Sequence, residues 1–271
     1  MFYALAEHKI PTGEWRFTHI LQDIQTLNER ATRGELQISA ISIHAYAYVL
    51  DQYALLPSGA SMGDGYGPLL IVKKGQRFPS QDDAEAVKQW LSEQTIAVPG
   101  RMTSAYLALQ LYLGKTPNVA VVPFDEIFEY VNEGYASVGL IIHEGQLTYE
   151  RDGFRKVVDL GEWWKAETGL PLPLGGNVIR KDVPPAARSE LNAILRESIR
   201  YGLEHRQAGV NHAMPLARGM DVPLADRFIG MYVNDYTLDY GETGRRAIRE
   251  FLKRAHAGGF IPSPVELEFV E

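Results

Sequence analysis

One histidine in this sequence stands where a base would be useful. His143 follows the apolar run Val138–Ile142, so it falls at the carboxyl end of a predicted strand. In open α/β sheets, ligands bind outside the carboxyl ends of strands. An imidazole with an ordinary pKa of ~6.5, placed against a reacting carbon or hydroxyl, supplies roughly 10²–10⁴-fold of general-base catalysis. Two further features share that logic. Ser42, and the pair Thr103-Ser104, each fall where a strand hands over to a helix. A helix start presents unpaired N–H groups and partial positive charge, which suit a carboxylate. Each feature also has a plainer reading. A Ser or Thr at a helix start serves as a cap, and a histidine at a strand end serves as a hydrogen-bonded structural residue. The tyrosines and Trp163-Trp164 fit either a pocket for a flat ring or core packing.

Other chemistries lack their residues. The sequence has no cysteine, so disulfides, thiolate nucleophiles and Cys-ligated zinc are excluded. His8, His19, His44, His205, His212 and His256 show no paired metal spacing with carboxylates. No HExxH, P-loop or GxSxG sequence occurs. Gly63-Asp64-Gly65 lacks the third glycine of a dinucleotide fingerprint. Neither cofactor nor metal is expected. The chain has 271 residues, is 45% apolar and carries a net charge of −7. Without a basic stripe it is not expected to bind nucleic acid. No apolar run approaches the ~18 residues of a membrane span, and Glu7 and His8 come too early for a signal peptide. A small-molecule ligand and a cytoplasmic location are the expectation, with the oligomeric state open.

Short apolar strands alternating with amphipathic helices position these residues, and predict an α/β protein with a largely parallel sheet. Phe2–Leu5 reads as helix, and Trp15–His19 alternates as a strand. Ile24, Leu27 and Ala31 mark a helix that Gly34 stops. A strand over Leu36–Ala40 leads into a second helix from Ser42, with Tyr46, Val49, Leu50 and Tyr53 on one face. The glycine-rich stretch Pro57–Pro68 is a loop, with ligand contact left open, and Leu69–Val72 is a strand. Strands at Thr95–Val98, Val119–Val122 and Val138–Ile142 alternate with helices at Ala105–Leu113 and Asp125–Asn132. Leu170–Gly176, rich in Pro and Gly, reads as a crossover between lobes, followed by a short strand over Asn177–Arg180. Helices then cover Pro184–His205, Leu224–Met231 and Glu242–His256. Two lobes are expected: residues 1–74 with 176–271, and residues 75–175.

Several stretches resemble the 1,4-dihydroxy-6-naphthoate synthases of the futalosine route to menaquinone. They are Asp23–Asn28, Ser42-Ile43-His44-Ala45-Tyr46, Gly59–Gly63, Tyr66-Gly67-Pro68, Val98–Arg101, Ile141-Ile142-His143-Glu144, Val158-Asp159-Leu160-Gly161 and Leu170–Gly175. The resemblance runs from residue 2 to the C-terminus. It implies a two-lobed fold like the type II periplasmic binding proteins, with a ligand cleft between lobes, in a cytoplasmic enzyme. The implied reaction cleaves cyclic dehypoxanthine futalosine to 1,4-dihydroxy-6-naphthoate and a three-carbon sugar fragment. The resemblance makes His143 the proton acceptor. It puts substrate contacts at Ala40, Ile41 and Ser42 and at Ser104 and Ala105, beside the Thr103 of the residue-based reading. Family members begin with a strand and a Ser-Pro-Cys-Pro stretch before the Phe-Tyr-Ala-Leu helix. Lobe 1 is therefore expected to lack its first strand here. Two rival readings remain: a solute receptor for a carboxylated metabolite, and the sister chorismate dehydratase of the same pathway.

Overall fold

The computed structural model describes residues 1–217 and 219–271. Its strands, in chain order, are β1 (Ile38–Ser42), β2 (Tyr53–Leu55), β3 (Ser61–Gly63), β4 (Leu69–Lys73), β5 (Ile96–Val98), β6 (Val119–Val121), β7 (Val138–Ile141), β8 (Phe154–Asp159) and β9 (Leu172–Arg180). The chain forms two compact units. The first comprises Met1–Met62, Pro173–Arg246 and Glu266–Glu271; the second comprises Gly63–Leu172 and Ala247–Val265. The division falls earlier than residue 74, because β4 belongs to the second unit's sheet. Residues 247–265 also join the second unit, where Phe251 meets Trp164 edge-on at 5.4 Å between ring centroids.

In the first unit β9 is the hub. It pairs antiparallel with β1, from Ile38↔Ile179 to Ser42↔Gly175, and with β2, from Tyr53↔Arg180 to Leu55↔Val178. The sequence predicts a crossover over Leu170–Gly176 and a strand of only four residues after it. The structure instead runs one strand from Leu172 to Arg180. Pairing with β1 begins at Gly175, so Pro173, which has no N–H, forfeits no bond in that ladder. Gly176 is required for its missing side chain, since a Cβ there would overlap the Tyr240 hydroxyl.

The helix Ile24–Thr32 starts at Asp23, whose carboxylate accepts the Thr26 N–H at 3.0 Å, and ends before Gly34 at φ +65°. The helix Pro185–Glu204 buries Leu191, Leu195 and Ile199 at four-residue spacing. Leu191 and Leu195 pack on a core with Ala4, Leu5, Ile10, Ala54, Leu56, Ile179 and Val270.

Two further predicted elements of this unit differ. Trp15–His19 is irregular rather than a strand. Its alternation reflects Trp15 and Phe17 packing partly buried on that core, with no ladder. The helix expected from Ser42 to Tyr53 is a single turn, Ile43–Tyr46. Tyr46, Val49 and Tyr53 are all buried, but Tyr53 lies in β2, so their spacing mimics a helical face.

The second unit's sheet has the order β6-β5-β7-β4-β8. β6, β5 and β7 pair in parallel, while β4 runs antiparallel to both β7 and β8, so β8 points the same way as β7. The sheet is therefore mixed, with β4 reversed among its five strands. Its parallel part needs crossovers, and the helices Ser104–Leu113 and Ile127–Asn132 supply them. Strand β8 and the helix Leu160–Thr168 occupy a stretch to which the sequence reading assigns no element. Among the described residues, no helix is long and apolar enough to cross a membrane.

Candidate functional site

In the second unit β5 and β7 are parallel neighbours, in register at Ile96↔Val138 and Ala97↔Gly139. Their carboxyl ends thus leave the same edge of the sheet. From β5 the chain passes through Pro99–Thr103 into the helix Ser104–Leu113; from β7 it passes through Ile142 to His143.

Thr103 is the N-cap of that helix. Its Oγ1 accepts the Tyr106 N–H at 3.2 Å and donates to the Gly100 carbonyl at 2.9 Å. Its hydroxyl is thereby engaged within the loop, as the capping reading has it. Thr103, Ser104 and Ala105 are all buried at the helix start.

His143 sits in a tight turn. The Gly145 N–H donates to its Nδ1 at 3.0 Å, and the Gln146 N–H donates to its carbonyl at 2.9 Å. Gln146 also sends its side-chain amide back to the Ile141 carbonyl at 3.2 Å, tying the turn to the strand end. The imidazole stands edge-to-face with Phe124 at 5.6 Å and with Phe128 at 5.7 Å. Its side chain is 11% exposed and Nε2 is buried. Gly145 makes this packing possible, because a Cβ there would lie 2.7 Å from both His143 Cε1 and the Phe128 ring. Had the strand continued, Glu144 would point away from the imidazole. Because β7 stops at Ile141, the Glu144 carboxylate instead stands 3.7 Å from His143 Nδ1.

In the first unit Ala40, Ile41 and Ser42 form the end of β1. Ser42 occupies the N-cap position of the one-turn helix but makes no side-chain capping bond. Asn28 takes both of its polar groups instead. The Ser42 N–H donates to Asn28 Oδ1 at 2.8 Å, and Asn28 Nδ2 donates to Ser42 Oγ at 3.0 Å. The sequence reading missed this role. Its signal was a polar residue on the inward face of the helix Ile24–Thr32, where only Asn28 and Ala31 are buried.

Asp159, at the end of β8, caps the helix Leu160–Thr168 by accepting the N–H groups of Gly161 at 2.8 Å and Glu162 at 3.1 Å. Burial pushes its carboxyl up to about 6, against the opposing pull of those N–H donors. Of the two adjacent tryptophans, Trp164 is a core residue, fully buried with its indole N–H donated to the Pro171 carbonyl at 3.1 Å. Among the described residues, no three His, Asp or Glu side chains gather where they could hold a metal ion.

Comparison with known proteins agrees with this architecture. A Streptomyces coelicolor protein named 1,4-dihydroxy-6-naphthoate synthase is 37% identical over 268 residues, covering 97% of this chain and 90% of the relative. A crystal structure of an Archaeoglobus fulgidus protein superposes with a TM-score of 0.87 at 40% identity, covering 96% of this chain and 93% of that one. The alkanesulfonate-binding protein of Xanthomonas axonopodis pv. citri, solved with MOPS, superposes with a TM-score of 0.63 at 12% identity, covering 89% and 82%. That likeness shows the fold alone, a mixed α/β fold of the periplasmic-binding-protein kind. The family described as menaquinone biosynthesis matches residues 1–257. With that match and a relative 37% identical along nearly all of its length, the chain belongs to the menaquinone biosynthesis family.

Proposed function

We propose that this chain is a 1,4-dihydroxy-6-naphthoate synthase, a lyase that converts cyclic dehypoxanthine futalosine to 1,4-dihydroxy-6-naphthoate and a three-carbon sugar fragment. The observation that carries the reading is the 37% identity to a protein of that name across 97% of the chain. The enzyme works in the cytoplasm on a small-molecule substrate and needs neither cofactor nor metal.

His143 is the general base. It takes a proton from the sugar-derived part of the substrate; carbon–carbon cleavage and elimination then aromatise the ring, and aromatisation drives the reaction. The substrate contacts of this reading are the strand end Ala40-Ile41-Ser42 and the helix start Thr103-Ser104-Ala105. At that helix start, with the Thr103 hydroxyl engaged in the loop, the backbone N–H groups of Ser104 and Ala105 are the natural holders of a carboxylate or hydroxyl.

The test is turnover of purified protein with cyclic dehypoxanthine futalosine and, separately, with chorismate, each followed by chromatography for the naphthoate. Naphthoate from the first substrate alone supports the reading. Turnover of chorismate instead, or binding without turnover of either, overturns it in favour of the sister dehydratase or of a receptor. His143→Ala should lower turnover by roughly 10²–10⁴-fold.

A further inference from the structure

We propose that Asn177 is a substrate-binding residue of the first unit, whose side-chain amide takes the neutral hydroxyl groups on the sugar-derived part of the substrate. The proposal rests on the reading of this chain as a 1,4-dihydroxy-6-naphthoate synthase and says which feature of that substrate the strand end Ala40-Ile41-Ser42 lies beside.

Asn177 stands in β9 directly opposite Ala40 of β1, and Gly175 stands opposite Ser42. Opposed residues of an antiparallel pair project from the same face, with Cβ atoms roughly 4.5–5.5 Å apart. Strand β3 also pairs with β9, and its approach continues that face. A Cβ on Gly175 would lie 3.8 Å from the Ser61 Cβ, and one on Gly59 would overlap Asn177 Nδ2. Alternation sends Gly176 to the opposite face, against the Tyr240 hydroxyl. Two residues back along β1 the face is core, where Ile38 and Ile179 pack with Ala54, Leu56 and Leu191. Toward the carboxyl end of β1 it becomes small and polar: Ala40, Ser42, Gly175, Asn177, Gly59 and Ser61.

Asn177 is out of keeping with its surroundings. It is 1% exposed, and neither Oδ1 nor Nδ2 has a hydrogen-bonding partner in the protein. Buried amides are bonded in the great majority of cases, because an unpaired one gives up hydration for nothing in return. Room for this one comes from Gly59, at φ +94°, where a side chain would be strained. An apolar residue of the same size, continuous with Ile38 and Ile179, would suit the folded chain better. A local rule broken without an internal gain marks a functional position.

The neighbours of the amide let a ligand come near it. Ala40, Gly175 and Ser61 are partly exposed, so a ligand seated on a methyl group and on bare backbone lies beside Asn177. The amide offers N–H donors and an acceptor oxygen. A hydroxyl is both donor and acceptor and satisfies both ends. A carboxylate accepts only, so it would suit Nδ2 and meet repulsion at Oδ1. None of the six residues of this face is charged. The face is therefore made for neutral hydroxyls, and the substrate's carboxylate is left to the helix start Thr103-Ser104-Ala105.

The experiment compares the full chain with its Asn177→Leu and Asn177→Ala variants. It measures thermal melting of the free protein, steady-state kinetics with cyclic dehypoxanthine futalosine, and calorimetric binding of 1,4-dihydroxy-6-naphthoate, which has lost the sugar fragment. Asn177→Leu should melt at or above the parent's temperature, raise KM roughly tenfold with a smaller change in kcat, and bind the naphthoate as the parent does. Asn177→Ala adds no atoms beside Gly59 and should raise KM likewise, which covers the case of a leucine that crowds that glycine. Lower melting of both variants with KM unchanged would mean that the amide serves the fold alone, and overturns the proposal. Equal losses of substrate and naphthoate affinity also overturn it, since the amide would then not be reading the sugar hydroxyls. A parent that makes no naphthoate from this substrate removes the enzyme reading and this inference with it. An active parent whose KM neither variant changes removes the inference alone.

Discussion

Asn28 grips Ser42 at two points, accepting its backbone N–H at 2.8 Å and donating to its Oγ at 3.0 Å, with both residues buried. The grip joins a helix to the end of β1, and it leaves the Ser42 hydroxyl proton directed elsewhere, since Oγ serves Asn28 as the acceptor. Replacing Asn28 by Ala strands a buried N–H, which costs about 1–3 kcal/mol. Asn28→Ala should therefore lower the melting temperature by several degrees and raise KM more than it lowers kcat. Thermal melts and steady-state kinetics measure both. A Ser42 that does no more than fill the core would leave KM unchanged.

Some of this arrangement is legible in the residues and some is not. Strands β5, β6 and β7 can be read because each is a short apolar run between helices, and local pattern suffices to place His143 and Thr103 at one sheet edge. The first half of β9, Leu172–Gly176, is hidden because Pro171, Pro173, Gly175 and Gly176 are turn-forming types. β9 is a strand because β1 and β2 pair with it from either side, and no local signal carries that information. The Asn28 grip spans fourteen positions and exists only once the helix packs on β1. The orientation of Glu144 turned on whether β7 ends at Ile141 or runs past His143, a boundary that periodicity does not fix.

Gly145 is the place to test how closely the His143 ring must be held. An alanine methyl would press on His143 Cε1 and on the Phe128 ring from 2.7 Å, so the imidazole must shift. Overpacking of this kind costs about 1–3 kcal/mol, and a misplacement of about 1 Å at a reacting group costs about 10² in rate. Gly145→Ala should remain folded, melt lower and lose about 10²-fold in kcat. Retention of full kcat would mean that the ring position seen here is not the one that reacts.

The Tyr66-Gly67-Pro68 loop seats on Gly161, backbone to backbone. A Cβ at Gly161 would overlap the Tyr66 carbonyl oxygen, and one at Gly67 would lie 2.8 Å from the Gly161 nitrogen. Neither neighbour is the end of a flexible side chain, so relief requires the loop and the helix start to part. Gly161→Ala should destabilise the protein by about 3 kcal/mol or more, at the upper end of overpacking costs. It should also give a low yield of folded protein by circular dichroism. A melting temperature equal to the parent's would show that the two segments separate without cost.

Asp159 gives the fold a pH dependence whose sign can be worked out. Burial raises its carboxyl from the usual range near 3.8 to about 6 in the folded protein. Between those two values the folded state binds more protons at this group than the unfolded state does. This group's contribution to stability therefore falls as pH rises through that window, and it stays low above about 6. A shift of about two units corresponds to about 3 kcal/mol. Asn in its place keeps an oxygen to accept the Gly161 and Glu162 N–H groups but carries no charge to bury. The difference in unfolding free energy, Asp159→Asn minus parent, should therefore be near zero at pH 4 and rise toward about 2–3 kcal/mol by pH 7. Denaturant titrations of both proteins across that range measure it. A difference that stays flat, or that favours the parent as pH rises, would mean that the two N–H donors at the helix start outweigh burial. The carboxylate would then be the better cap in its charged form.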